Sequence, residues 1–543
     1  NNECQLAQAP SLRHISKKFC SAQPIIALTS FKKRIALPDE YKDSPSLDKE
    51  LPRISTGSSN LDEILGGGLD AQRVYLYEGA PGTGKTTLAM QFLLEGALQG
   101  ERGLYITLSE SAREMRIVAS RHGWPLDNIT IFELVPPETT LDPEQELTVL
   151  HPAELELTET TKLVFEQVAA VNPSRVIFDS LSELRLLAES PLRYRRQVLA
   201  LKHFFTQRDC TAIVLDDLSS RDTGLQLHSI VHGVVQLDQL ATSYGAVRRR
   251  LRVLKMRGIE FATGYHDFEI RRGGLKVYPR LVAAEHHVPF LREMVSSGNA
   301  ELDTMLGGGL ERGTNVLFLG ATGVGKSSLA LTYATAAADR GQRSVIFAFD
   351  EGQGTMVARA RALGLPLQAA LGAGVIDIRR IDPAVVSPGE FVHMVRRAVE
   401  VDGARIVVID SLNGYLNATP EERFLILQMH ELLNYLDQLG VLTILVLSQH
   451  AQDGLLQTPL DLSYLSDAVL SLRYFEAEGG IRRAISVVKK RSGDHQNTVR
   501  EYRLSPLGIT IGSPLKGFSG FMLGIPSYTG PAALLVADQN DDV

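Results

Sequence analysis

Gly79-Ala80-Pro81-Gly82-Thr83-Gly84-Lys85-Thr86 and Gly320-Ala321-Thr322-Gly323-Val324-Gly325-Lys326-Ser327 both fit the pattern G-x-x-x-x-G-K-[ST], followed by Thr87 and Ser328. Glycines at these places let successive backbone N–H groups turn inward around phosphate oxygens. The start of the helix that follows adds positive partial charge. The pattern sets Lys85 and Lys326 against β/γ-phosphates, and gives Thr86 and Ser327 to a Mg²⁺ ion. It demands a strand before it and a helix after it. Apolar runs from Arg73 to Tyr77 and from Val316 to Leu319 supply the strands, and helical stretches are expected to begin near Leu88 and Leu329. Two matches in that context predict a chain that binds nucleoside triphosphate, ATP in the usual case, twice.

Acids stand where such loops need them. Arg175-Val176-Ile177-Phe178 runs into Asp179, and Ile406-Val407-Val408-Ile409 into Asp410. A carboxylate at the end of a buried strand is costly without a task, and here it reaches the Mg²⁺ shell. The strand after each P-loop helix ends in Leu108-Ser109-Glu110 and Phe349-Asp350-Glu351. A carboxylate at that place can take a proton from a water or hydroxyl attacking the γ-phosphate. Glu110 and Glu351 are therefore the candidate bases, with Asp350 assisting; Ser109 cannot act as a base at neutral pH. Lys255-Met256-Arg257 and Lys489-Lys490-Arg491 each follow a strand. Alternation puts the outer two side chains of each triplet on one face. Cations delivered across a subunit interface to a transferring phosphoryl group raise rates roughly 10³–10⁵-fold.

The elements that must hold these residues come as a repeat. Thr56 to Leu69, with Asn60-Leu61-Asp62 and Gly66-Gly67-Gly68, returns as Ser297 to Leu310, with Glu301-Leu302-Asp303 and Gly307-Gly308-Gly309. Leu61 and Leu302 share the offset of Lys85 and Lys326. The apolar runs within each copy are continuous, which marks strands buried on both faces. Leu104 to Leu108, Val176 to Phe178 and Ala212 to Leu215 are such runs in the first copy. Val345 to Phe349, Ile406 to Ile409 and Leu442 to Leu447 match them in the second. Glu159 to Ala170 and Pro388 to Glu400 read as crossover helices. The expected class is α/β: two tandem P-loop NTPase domains, each a mainly parallel sheet flanked by helices, with ligands at the carboxyl ends of the strands. The expected divisions are an extension without fixed structure at 1–52, domains at 53–283 and 296–512, a linker at 284–295 that contains His286 and His287, and a loose tail at 513–543.

Composition narrows the class. The 543 residues are too many for one core, and 44% hydrophobic with 22% charged residues is ordinary globular usage. A net charge of −7 argues against a nucleic-acid coat. Cys4, Cys20 and Cys210 form no C-x-x-C pair, which fits a reducing cytosol. No apolar run is long enough to span a membrane, and Ile25 to Leu28 is too short for the core of a signal peptide.

The glycine-rich entries, P-loops, D-S strand ends and K-x-R triplets together resemble the KaiC family of RecA-type ATPases, over roughly residues 53 to 512. That family includes a cyanobacterial circadian-clock protein and relatives outside the clock lineage. The resemblance implies a homohexamer of two stacked rings with ATP between neighbouring protomers. It implies hydrolysis chiefly in the first ring and serine/threonine autokinase activity in the second. The family carries a glutamate pair where this chain has Ser109-Glu110 and Asp350-Glu351. Its adjacent Ser and Thr phosphoacceptors fall on Ser463 and Tyr464. Tyrosine in the threonine place is bulkier, with its oxygen farther from the backbone. The resemblance offers no named regulatory partner. Two other readings remain at this level. One is a DNA-handling motor, for which Arg248-Arg249-Arg250, taken as the flank of a strand, and Arg271-Arg272 are candidate contacts. The other is a nucleotide-switched scaffold with almost no turnover.

Overall fold

Strands buried on both faces need two covering layers, and each repeat builds them. The computed structural model describes residues 51–134, 152–188, 190–217, 224–241, 245–416, 422–449, 463–477, 479–520 and 527–528. In the first repeat the main strands are β1 Val74–Gly79, β2 Gly103–Thr107, β3 Ile129–Glu133, β4 Arg175–Asp179, β5 Thr211–Asp217, β6 Gly233–Leu240, β7 Arg248–Met256, β8 His266–Arg271 and β9 Gly274–Tyr278. In the second they are β10 Asn315–Gly320, β11 Ser344–Ala348, β12 Ile376–Arg380, β13 Ile406–Asp410, β14 Leu442–Ser448, β15 Ala468–Ala477, β16 Gly480–Lys490, β17 Val499–Ser505 and β18 Gly508–Pro514.

The first sheet runs β3-β2-β4-β5-β1-β6-β7-β8-β9 and the second β12-β11-β13-β14-β10-β15-β16-β17-β18, the same order twice. Pairing is parallel from the first strand in each order through β6 and β15, then antiparallel to the edge. These are two tandem RecA-like α/β domains with mixed, mostly parallel sheets. Successive side chains leave a strand on opposite faces, so each sheet divides its apolar residues between two cores. Tyr75, Tyr77 and Ile177 join one cluster while Leu76, Val176 and Phe178 join the other. Phe318, Ile406 and Val408 face one core of the second domain, and Leu317, Val407 and Ile409 the other.

The P-loop helices Lys85–Leu98 and Lys326–Asp339 begin three residues before the expected Leu88 and Leu329. Gly84 and Gly325 are their N-caps, at φ of 105° and 109°. Only glycine adopts that left-handed turn without strain, so the loop passes straight into the helix and the lysines become its first residues. The crossover helix expected over Pro388–Glu400 has those bounds, capped by Ser387, while the other runs longer than expected, Pro152–Val171.

The stretch between the domains is packed onto the second one. The Ala283 N–H bonds Glu431 at 3.0 Å, the His286 ring meets Tyr435 edge-on at 5.2 Å, and Phe290 lies over Gly313 and Gly440. The domains also touch directly. Asp267 of β8 accepts the Gly389 N–H at the start of helix Pro388–Glu400, at 2.7 Å. Arg271 pairs with Glu390 at 2.6 Å. Arg248 donates to the carbonyls of Pro383 and Val385. The triplet Arg248-Arg249-Arg250 is therefore not a strand's solvated flank but the first three residues of β7, with Arg248 buried. At the carboxyl end, β18 continues to Pro514 and Phe518 packs edge-on to Phe475 at 5.2 Å, so order extends into the segment expected to be loose. Among the described residues, no helix is long and apolar enough to cross a membrane.

Candidate nucleotide sites

Each P-loop leaves the carboxyl end of a central strand. The first residue of each, Gly79 and Gly320, has no room for a side chain: a Cβ would lie 2.3 Å from the Leu237 carbonyl or 2.1 Å from that of Leu472. Both loops turn on Gly82 and Gly323, each at φ 80°. The Thr83 hydroxyl closes the first loop onto the Ala80 carbonyl at 2.8 Å. Val324 is buried in the second core, and its carbonyl accepts the Tyr502 hydroxyl.

In the first site Lys85 Nζ donates to the carbonyls of Gly79 and Ala80 at 2.9 and 3.0 Å and pairs with Asp217 Oδ1 at 2.7 Å. The Thr86 hydroxyl lies 3.4 Å from Asp179, which also accepts from Tyr105. Burial pushes the Asp179 carboxyl up, against the Tyr105 bond, Lys85 and Thr86. Glu110 follows β2, its N–H held by the Thr107 hydroxyl at 3.0 Å. Burial first, then Asp179 and Glu114, raise its carboxyl above the usual range. A raised carboxyl is a stronger base once ionised, which suits a group that must take up a proton.

The second site repeats the frame with different partners. Lys326 donates to the carbonyls of Gly320 and Ala321 at 3.0 and 2.7 Å. Burial brings its ammonium down to about 8, opposed by Asp410. Burial likewise raises Asp410, opposed first by its bond with Ser327. Asp350 accepts the Ser411 hydroxyl, while Glu351 is clamped by Arg359 at 2.7 Å. Eight residues after Glu110, where the second repeat has Arg359 after Glu351, the first has Val118. A cleft of about 460 Å³ opens among Thr322, Lys326, Asp350, Glu351, Arg359 and Asp410.

A hydroxyl beside a carboxylate, next to a lysine and a ring of backbone N–H groups, suits Mg-triphosphate. Mg²⁺ takes one or two protein oxygens and completes its shell with phosphate and water. Among the described residues no group of three or more His, Cys, Asp or Glu could hold a metal alone. Thr87 and Ser328 continue the helices, the latter buried.

The basic triplets lie at the other end of each sheet. Met256 pairs with Gly233, which pairs with Tyr75; Lys490 pairs with Ala468, which pairs with Val316. Tyr75 and Gly79, like Val316 and Gly320, are four residue steps apart along a strand, about 13 Å at the usual rise. Lys255 donates to the carbonyls of His228 and Val231, and Arg257 to that of Ser229. Lys489 donates to the Ser466 carbonyl at 2.7 Å. Arg491 donates to that of Tyr464 at 2.7 Å and pairs with Asp467 at 3.1 Å. The outer pair of each triplet thus reaches one stretch of backbone, residues 228–231 in the first domain and 464–467 in the second. Ser463 and Tyr464 begin a short 3₁₀ turn, Ser463–Leu465, and the Tyr464 side chain is exposed.

A family model described as "ATPase: KaiC" matches residues 54–282 and again 295–516. The chain belongs to the KaiC family of ATPases. It is 24% identical to circadian clock protein KaiC3 of Synechocystis sp. over 490 residues, 88% of this chain and 95% of that protein. It is 26% identical to the circadian clock oscillator protein KaiC of Parathermosynechococcus lividus over 503 residues, 90% and 91% of the two chains. Circadian clock protein KaiC2 of Synechocystis sp. is 26% identical over 471 residues, 85% and 81%. Membership of the KaiC family supports ATP binding and ATPase activity.

Within this KaiC-family frame three side chains escaped sequence reasoning. Asp217 ends a buried strand as Asp179 does, so the same signal could have found it. Tyr105 carried only the mark of an apolar strand. Arg359 lay unmarked on the helix Gln353–Ala362, and its approach to Glu351 is a product of folding.

Proposed function

We propose that the chain works in the cytoplasm as a homohexamer of two stacked rings, with ATP and Mg²⁺ between neighbouring protomers. In this reading ATP is hydrolysed at the Lys85 site and phosphorylates Ser463 at the Lys326 site. The carrying observation is the position of the basic triplets. Lys255 and Arg257, like Lys489 and Arg491, stand at the end of the sheet opposite their own P-loop, which supports a role toward phosphate on an adjacent protomer rather than on their own.

At the first site Glu110 takes a proton from water as its oxygen bonds the γ-phosphorus. The bond from that phosphorus to the bridging oxygen breaks, and ADP and phosphate leave. At the second, Glu351, assisted by Asp350, takes the Ser463 hydroxyl proton as a phosphate ester forms and ADP leaves. Mg²⁺ held by Thr86 with Asp179, and by Ser327 with Asp410, would neutralise charge on the β- and γ-oxygens. A DNA-handling role finds less support. Arg248 and Arg271 are engaged with the second domain, and Arg250 stacks on Tyr265 at 4.0 Å. In keeping with the circadian names of its relatives, the chain's role is signalling of the circadian type.

Incubation with Mg-ATP followed by peptide mass spectrometry tests the kinase. Phosphate on Ser463 or Tyr464, absent from Lys326→Ala, supports it. No phosphate at saturating ATP refutes the kinase and leaves the ATPase standing.

A further inference from the structure

The two P-loop lysines differ in what holds them. Asp217 is the last residue of β5 and pairs in register with Gly79; Ser448 is the last of β14 and pairs with Gly320. The same position thus carries a carboxylate in one domain and a hydroxyl in the other. An ammonium has three donors. Those of Lys85 are filled by Gly79, Ala80 and Asp217. Lys326 has the first two equivalents, and among the described residues no carboxylate is ion-paired with it.

Asp217 is also held in place. Its N–H donates to the Ser182 hydroxyl at 2.9 Å, that hydroxyl donates to Asp216 at 2.9 Å, and Asp216 pairs with Arg185 at 2.5 Å. Ser182 lies on the helix Leu181–Leu187, which follows Asp179 after a single residue. The carboxylate therefore sits against Lys85 on a braced strand end and does not hang from a loose loop.

We propose that Asp217 stands in for a phosphate on Lys85, which makes the first site the weaker and faster-exchanging of the two, while Ser448 leaves the second without a competitor. The proposal rests on the reading that both P-loops take ATP. A phosphate oxygen reaching Lys85 must break the ion pair and then lie close to a displaced negative charge. At Lys326 the incoming oxygen meets a donor with no anion to surrender. Like charges at short range and a broken pair both act against binding. Both also favour departure of ADP, because Asp217 can retake the lysine as the phosphates leave.

The test is titration of the full-length chain with a fluorescent ATP analogue and Mg²⁺, alongside steady-state ATPase assays. In a Lys326→Ala background, which leaves the first site, Asp217→Ser and Asp217→Asn are each expected to lower Kd about tenfold, with KM falling in parallel. In a Lys85→Ala background, Ser448→Asp is expected to raise Kd about tenfold. A structural role alone would not move the two sites in opposite directions. An unchanged Kd for both Asp217 variants overturns the proposal, as does weaker binding, which would make Asp217 a ligand of the metal. Binding lost only in Lys85→Ala with Lys326→Ala keeps the underlying reading intact in either case. An unaltered chain that binds no nucleotide would overturn that reading instead.

Discussion

At the residue scale, the two candidate bases, Glu110 and Glu351, differ in their company. Glu110 is raised by burial, Asp179 and Glu114, with valine where a cation could have paired it. Glu351 is held by Arg359 and must leave that ion pair or carry it along before accepting a proton. This difference fits faster hydrolysis at the first site. Glu110→Gln keeps the shape and removes the base, so first-site kcat should fall on the order of 10²-fold or more with KM little changed. Since the base works ionised and its carboxyl is raised, kcat should drop as pH falls at a higher pH than an ordinary glutamate would give. An ATPase pH profile in the Lys326→Ala background reads both. A glutamine variant with unaltered kcat removes Glu110 from the mechanism.

At the scale of elements, the antiparallel strands β7 and β8 do two jobs. β7 begins with Arg248 on the second domain's Pro383 and Val385 carbonyls and ends at Lys255-Met256, beside Arg257. β8 supplies Asp267 to the N-terminus of helix Pro388–Glu400. There the Gly389 N–H and the nearby Arg248 and Arg250 oppose the upward push of burial on the carboxyl. A carboxylate at that end of a helix meets both unpaired N–H groups and the positive end of the helix dipole. Asp267→Ala leaves the Gly389 donor and the arginines short of a partner, at a cost of about 1–3 kcal/mol. Thermal unfolding should then begin earlier or split into two transitions, one per domain. A single transition at the original temperature would show that the contact carries no stability.

At the scale of the molecule, a P-loop and a basic triplet lie at opposite ends of one sheet, and on the proposed function a protomer is then incomplete by itself. Two such sheets with one strand order allow two rings to stack in one assembly. Removing the cations should therefore abolish turnover while leaving each nucleotide pocket built. Arg257→Ala should reduce first-site turnover roughly 10³-fold or more, and Arg491→Ala should do the same for phosphate transfer at the second. Light scattering with Mg-ATP should report a hexamer. A monomer that keeps full turnover after both substitutions would sink the shared-pocket reading.

What the sequence determined is what short stretches of chain decide. The G-x-x-x-x-G-K-[ST] runs, the acids ending apolar strands and the repeated glycine-rich entry need only local backbone geometry and strand burial. The α/β class and tandem plan were legible from them. The folded chain decided what depends on register and on neighbours distant in sequence: that Asp217 rather than Ser448 meets a P-loop lysine, that Arg359 clamps Glu351, and that Arg248 leaves solvent for the second domain. Helix starts were missed by three residues because the left-handed turns at Gly84 and Gly325 end the loops abruptly. Such pairings arise when the sheets align and the domains dock, and no periodicity along the chain encodes which charges will then lie within reach of one another.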